Sequence, residues 1–202
     1  ELLVIKNKFA DERRTKIVAY EGEIDIEDLI HEQEVAITLT HFGYVKRTSA
    51  DTYKAQKRGG KGIAGLSTRE NDFVKHLIIT SSHNILLFFT NFGKVYSLKG
   101  YEIPDAGRTA KGLPIVNLLQ LDPEERVETV IPITDFDEGS YLVMATRKGL
   151  VKKTKLAEYK NIRKSGLIAI ALREEDELIG ASLVNEGEDT VLVTSRGMCI
   201  RF

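Results

Sequence analysis

The run Gln56-Lys57-Arg58-Gly59-Gly60-Lys61-Gly62 holds three cations and three glycines within seven residues, with no acid and no large apolar side chain. Glycine reaches positive φ without strain and lets a backbone come close to a ligand. Arginine supplies a rigid fork of donors and lysine a mobile point charge, both suited to phosphate. A helix or a packed core gains nothing from such a run, so its natural partner is a polyanion. No other chemistry competes with it. Gly60-Lys61-Gly62-Ile63-Ala64-Gly65 formally fits GxGxxG, but a dinucleotide site needs a strand before the glycines and a helix after them. Residues 56–59 read as polar loop and residues 66–72 form no convincing helix pattern. There is no Walker A sequence. His31, His41, His76 and His83 lack ligand spacing and read as turn or surface residues. The single cysteine, Cys199, allows neither a disulfide framework nor a thiolate metal site. No nucleophile–base constellation is present, so the chain is expected to carry no catalytic and no metal-ligating residue of its own.

A formal net charge of −1 looks wrong for a polyanion binder, but the average hides segregation. Residues 44–62 carry six cations (Lys46, Arg47, Lys54, Lys57, Arg58, Lys61) against Asp51. Residues 147–164 carry eight (Arg147, Lys148, Lys152, Lys153, Lys155, Lys160, Arg163, Lys164) against Glu158. Residues 122–138 and 173–189 each hold seven acids against one arginine. Alternating blocks of opposite sign place a basic and an acidic edge on one body. Hydrophobic content of 42% over 202 residues is ample for a core. No apolar run is long enough to span a bilayer, and no signal peptide is evident, so a cytoplasmic address without a membrane partner is the default expectation.

What must position these cations is a repeat. Alternating strand, turn glycine and second strand recur at Gly43, Gly93, Gly149 and Gly197, which lie 50, 56 and 48 positions apart. Behind each of the first three turns follow a tyrosine (Tyr53, Tyr101, Tyr159) and an arginine (Arg58, Arg108, Arg163). Lys61-Gly62, Lys111-Gly112 and Lys164-Ser165-Gly166 come next, then a short apolar pair, an acidic stretch and another strand. The tyrosines, at one phase of the repeat, read as packing residues rather than nucleophiles. Period-2 patterning with turn glycines argues for β-hairpins, and a repeat of this length with about four strands is the signature of propeller blades. The expected fold is therefore all-β, with blades of about fifty residues stacked around an axis. Residues 1–9 show helical spacing, residues 16–20 a strand, and residues 25–32 an acidic bridge, so residues 1–30 are expected to stand apart from the repeats at 31–202. Three repeats and the beginning of a fourth are present, and both ends read as cuts through something larger.

The seven-residue run resembles the signature box of the C-terminal domain of the DNA gyrase A subunit, with Lys57 in place of the commoner arginine. The likeness extends along the chain. Asp11-Glu12-Arg13-Arg14-Thr15 resembles the end of that subunit's coiled-coil arm, and Tyr44-Val45-Lys46-Arg47-Thr48 and Leu150-Val151-Lys152-Lys153-Thr154 resemble its blade hairpins. The resemblance implies a β-pinwheel, a propeller-like disc of usually six blades that exchange strands, with a short helical segment in front. It implies a domain of a type IIA topoisomerase that wraps and bends double-stranded DNA, giving the chiral crossing used for ATP-dependent negative supercoiling. The box residues Gln56, Lys57, Arg58, Gly59, Gly60, Lys61 and Gly62 would clamp the duplex. Lys46, Arg47, Arg108, Lys111, Lys152, Lys153, Lys155, Arg163 and Lys164 would add contacts from the other blades. Partners would be the gyrase B subunit, together with the N-terminal region of the A subunit, in a heterotetrameric holoenzyme of the bacterial cytoplasm, at the nucleoid. ATP and magnesium would sit on other domains, as would the DNA-cutting tyrosine, leaving this part inactive alone. The alternatives are the equivalent domain of topoisomerase IV, which generally carries a degraded box, and a propeller that serves as a protein-interaction module.

Overall fold

A computed structural model describes residues 1–11, 14–15, 26–53 and 71–201. The box at residues 56–62, the strand expected at residues 16–20 and the Tyr53 side chain lie outside the described residues. The chain divides into two compact units, Glu1–His31 and Glu32–Phe202. In the first, α1 (Leu2–Phe9) starts without a side-chain cap and leaves Leu2, Leu3, Val4, Ile5 and Phe9 exposed. No described helix is long and apolar enough to cross a membrane.

The second unit carries the strands β1 (Glu34–Thr40), β2 (Tyr44–Ser49), β3 (Val74–Ser81), β4 (Ile85–Thr90), β5 (Lys94–Lys99), β6 (Leu113–Pro114) and β7 (Val127–Ile133). They are followed by β8 (Ser140–Thr146), β9 (Val151–Lys155), β10 (Leu167–Ile168), β11 (Leu178–Asn185), β12 (Val191–Val193) and β13 (Cys199–Arg201). They form antiparallel sheets in the orders β3-β1-β2-β6, β10-β5-β4-β7, β11-β8-β9 and β12-β13. The sheets form three blades, and β12 and β13 pair as a separate hairpin. β3, β7 and β11 end their sheets on one side and neighbour one another, β3 against β7 and β7 against β11. They form an inner row, which puts β2, β5 and β9 toward the outside.

The blades also exchange strands. β6, contributed by the second repeat, pairs with β2 of the first blade (Tyr44↔Pro114, Val45↔Leu113). β10, from the third repeat, pairs with β5 of the second (Leu167↔Val95, Ile168↔Lys94). The short apolar pairs of the sequence are these exchanged strands.

Two cores lie between blades. Val35, Ile37, Leu39 and Val45 pack on Leu86, Phe88, Tyr96 and Ile115 at the first junction. Leu87, Phe89 and Val95 pack on Leu142, Met144, Leu156 and Tyr159 at the second. β4 therefore sends alternate side chains into different cores, so both its faces are buried. Its sequence is accordingly an unbroken apolar run, Ile85-Leu86-Leu87-Phe88-Phe89, where a half-buried strand would alternate. Tyr159 is buried with its hydroxyl near Met144 Sδ and the Ala169 carbonyl, the packing role expected of it.

Candidate nucleic-acid interface

Each hairpin that carries cations outward is locked by the same short motif. A threonine three residues before the turn glycine accepts the glycine amide on its carbonyl: Gly43 on Thr40, Gly93 on Thr90, Gly149 on Thr146 and Gly197 on Thr194, all at 2.9–3.0 Å. The glycines sit at φ between +72° and +86°, where a Cβ is strained. In three of the turns the threonine hydroxyl also accepts an amide, from Tyr44, Leu150 and Met198. An acid at one phase of the repeat then reaches the turn. Asp72 accepts the amide of Phe42, and Asp176 accepts that of Lys148. At the second blade Glu125 instead accepts the Thr90 hydroxyl at 2.6 Å. Each acid follows a residue in the left-handed region (Asn71, Glu124, Glu175). Such backbone costs of order 1 kcal/mol and persists where the surroundings enforce it.

The basic segment of the second repeat is laid across one face of β2. Arg108, Lys111 and Gly112 have the spacing of Arg58, Lys61 and Gly62 in the box. Tyr44, Lys46 and Thr48, alternate residues of β2 and hence on one face, each take one piece of this segment. The Thr48 hydroxyl donates to the Ala106 carbonyl at 3.4 Å. Lys46 Nζ donates to the carbonyls of Gly107, at 3.3 Å, and of Arg108. The ammonium of Lys111 stands 3.8 Å from the centre of the Tyr44 ring, a cation–π contact. Backbone pairing completes the dock, with Arg47 N donating to Pro104 O and Ala106 N to Arg47 O. Gly112 is needed for the approach itself, because a Cβ there would lie 2.4 Å from the Val45 carbonyl.

At the second junction Tyr96 occupies the place of Lys46, three residues after the turn glycine. Its ring lies under Gly166, where a Cβ would come within 2.8 Å of it. Its hydroxyl donates to the Gln120 carbonyl and to Glu125, both at 3.1 Å. Burial first, and then the Glu125 carboxylate, pushes the phenol far above its ordinary value. Arg163 and Lys164 are exposed and line a cavity of about 200 Å³ with Tyr96 and Glu102. On the third blade Lys152, Lys153 and Lys155 project from β9 and are exposed. Lys152 Nζ donates to Ala169 O at 2.7 Å, and Lys153 lies 4.7 Å from the Tyr141 ring centre.

The structure thus brings Lys46, Arg47, Arg108 and Lys111 together along the outer edge of the first blade, Arg163 and Lys164 along the second, and Lys152, Lys153 and Lys155 along the third. One expectation needs correcting. Lys46 is only 1% exposed, and its charge is spent on carbonyls rather than presented to solvent. Sequence reasoning saw the cation and missed that residues 106–112 fold over it. A second refinement concerns the acids, which the sequence places on an acidic edge. Asp72, Glu125 and Asp176 are buried, and others form ion pairs along the inner row. Lys75 meets Glu128 at 2.7 Å, Arg126 meets Glu128 at 2.9 Å, and Arg126 and Arg147 meet Glu177 at 3.5 and 3.9 Å. Burial works against ionisation of Glu128, but Lys75 and Arg126 hold its carboxyl below the usual range. His76 also departs from the surface reading, since its Nε2 lies 2.9 Å from the Glu128 carbonyl and burial lowers its pKa. The acids share a repeat phase just as the arginines do, and that phase is the signal that would have found the turn-locking carboxylates. No group of three or more metal-ligating side chains occurs among the described residues.

A family model described as the DNA gyrase C-terminal domain, beta-propeller, matches residues 35–81, 84–134 and 140–185, one match per blade. The DNA gyrase A subunit of Clostridium acetobutylicum is 57% identical over 202 residues, which is all of this chain and 24% of that protein. That of Halalkalibacterium halodurans is 55% identical over the same share. The chain therefore spans about a quarter of the length of these relatives. Among solved structures, the C-terminal domain of DNA topoisomerase IV superposes with a TM-score of 0.70 at 32% identity, covering 85% of this chain and 52% of that one. The DNA gyrase A C-terminal domain gives 0.65 at 26% identity, covering 84% and 54%.

Proposed function

The chain belongs to the DNA gyrase C-terminal-domain family, and from that premise we propose that it binds duplex DNA along its basic outer edge and bends it around the blades. The observation that carries this reading is the placement of the cations. Arg108, Lys111, Lys152, Lys153, Lys155, Arg163 and Lys164 lie on outer strands, or on segments that cross to them, in three successive blades. Contacts to phosphate spread along an arc carry no base information, so binding should be sequence-tolerant and strongly salt-dependent. Bending a 20–30 bp site by 40–90° costs roughly 1–6 kcal/mol, which contacts distributed over three blades offset. Gln56, Lys57, Arg58, Gly59, Gly60, Lys61 and Gly62 would clamp the duplex.

In the whole protein the wrap would set the chiral crossing for negative supercoiling by a type II topoisomerase. The gyrase B subunit, together with the N-terminal region of the A subunit, would partner it in a bacterial, nucleoid-associated complex in the cytoplasm. Strand cutting, ATP and magnesium would belong to those other parts, and this chain alone would catalyse nothing. The equivalent role in topoisomerase IV is the second reading, favoured by the 0.70 superposition. The curated gyrase relatives, at 55–57% identity, weigh more. Supercoiling assays on the full-length protein separate the two, since the second reading predicts relaxation or decatenation without supercoiling.

The direct test is a salt titration of binding to a long duplex, comparing the chain with its Arg58→Ala/Lys61→Ala variant. A steep slope that becomes shallower in the variant supports the reading. Absence of salt-dependent binding by the parent overturns it.

A further inference from the structure

Lys46 is a buried ammonium that donates to the carbonyls of two consecutive residues, Gly107 and Arg108. Those residues belong to a turn closed by the Ala110 amide donating to the Gly107 carbonyl at 2.9 Å. In a trans peptide the N–H points opposite to the C=O of the preceding residue. Two carbonyls drawn to one buried cation therefore turn the amides of Arg108 and Thr109 away from it, onto the side of the loop where Gly107, Thr109 and Ala110 are exposed. A Cβ on Gly107 would meet nothing within 4 Å, so that side of the turn is open. Successive N–H groups facing one way make an anion-binding concavity. Beside this turn lies an open cleft of about 340 Å³ lined by Thr48, Ser49, Thr52, Asp105, Gly107 and Arg108. The seat would thus combine two amides, a guanidinium and nearby hydroxyls.

We propose that Lys46 is a positioning residue for a phosphate seat at the Gly107–Arg108–Thr109 turn, which takes one backbone phosphate of duplex DNA without Lys46 itself touching it. This inference rests on the DNA-binding reading above and adds a contact that a survey of exposed cations does not contain. Asp105 lines the same cleft as Arg108 and sets a carboxylate against an incoming anion. The seat consequently suits a monoanionic diester held within a multi-contact wrap better than free inorganic phosphate.

The test is an amide NMR titration of the 202-residue chain with a duplex of about 30 bp, together with the salt slope of binding, for the parent, Lys46→Met, Arg108→Ala and the Lys46→Met/Arg108→Ala double variant. In the parent the Arg108 and Thr109 amides should shift on adding duplex and remain still on adding inorganic phosphate at matched ionic strength. Lys46→Met should abolish those two shifts and lower the slope of log K against log [salt] by about 0.9, the value of one phosphate contact. Arg108→Ala should lower the slope by a similar amount, and the Lys46→Met/Arg108→Ala double variant should fall no further than either by more than about half that step. If the parent binds duplex with a steep slope but these amides do not move, the seat is wrong and the wrapping reading stands, an outcome that needs no variant to fold. If Lys46→Met keeps both shifts and slope, Lys46 positions nothing. If the amides move equally with inorganic phosphate, the site is a general anion seat and the duplex-specific proposal fails.

Discussion

The two blade junctions are built alike and filled differently. At the first, the position three residues past the turn glycine holds Lys46, whose charge gathers carbonyls of the incoming segment. At the second, the same position holds Tyr96, whose ring packs under Gly166 and whose hydroxyl is tied to the buried Glu125. The incoming segments differ to match. The first has the Arg-x-x-Lys-Gly spacing of Arg108, Lys111 and Gly112, and the second has Arg163-Lys164-Ser165-Gly166. One repeat position can therefore serve the interface or the core, depending on which group it offers the neighbouring repeat. A cation there orients polar backbone outward, whereas a phenol with a carboxylate seals the junction.

The largest effect expected from breaking this arrangement comes from the glycines on which both docks depend. Gly112→Ala places a Cβ 2.4 Å from the Val45 carbonyl at φ +86°, and Gly166→Ala places one 2.8 Å from the Tyr96 ring at φ +82°. Left-handed strain and overpacking together should cost about 2–4 kcal/mol in each, read as a lowered midpoint in chemical unfolding. A midpoint unchanged in both would mean that the exchanged strands do not depend on this close approach. Next comes Tyr96→Phe, which withdraws a donor from the buried Glu125 and should destabilise by about 1–3 kcal/mol. Lys46→Met, which exchanges a buried ammonium for an apolar chain of similar length, should change stability by less than about 1 kcal/mol, because relief from burying a charge offsets the bonds lost to the two carbonyls. Equal losses in these two variants would erase the distinction between the junctions. Smaller again is Lys111→Ala, where loss of the half-exposed cation–π contact with Tyr44 should cost about 0.5–1 kcal/mol.

The smallest effect is one of pH. Glu128 is held below the usual carboxylate range by Lys75 and Arg126 against the opposing effect of burial. Its contribution is complete above the unfolded value of about 4.3 and is lost as pH falls through the lower folded value. Glu128→Gln should flatten the acid limb of the stability profile while leaving the neutral limb parallel to the parent's. An unchanged acid limb would remove the inner-row ion pairs from the account.

The sequence carries the architecture clearly because its punctuation is local. Each Thr-x-x-Gly turn lies within four residues, and the strands flanking the first three show their pattern over five to seven. The exchanged strands were visible only as apolar pairs. Leu113–Pro114 is two residues long, and its partner Tyr44–Val45 lies about seventy residues away, so no local pattern records the pairing. The candidate interface was legible as to residue type but not as to direction. Lys46 is buried because residues 106–112 fold across β2, a long-range contact that no local pattern records. The buried acids escaped notice for the same reason. Glu125 is one carboxylate among seven in residues 122–138, and it is singled out by the Thr90 and Tyr96 hydroxyls and the Lys94 ammonium that three-dimensional packing brings to it.

The central claim is that the basic outer edge bends DNA around the blades in one sense. It is tested most directly by ligating a nicked circular DNA in the presence of the chain and measuring the linking number of the closed products after the protein is removed. The account predicts a topoisomer distribution displaced to one side, growing with protein up to saturation and returning toward the protein-free centre as salt is raised. Saturating, salt-sensitive binding with a distribution centred where the protein-free control lies would contradict it, because the cations would then hold DNA without wrapping it.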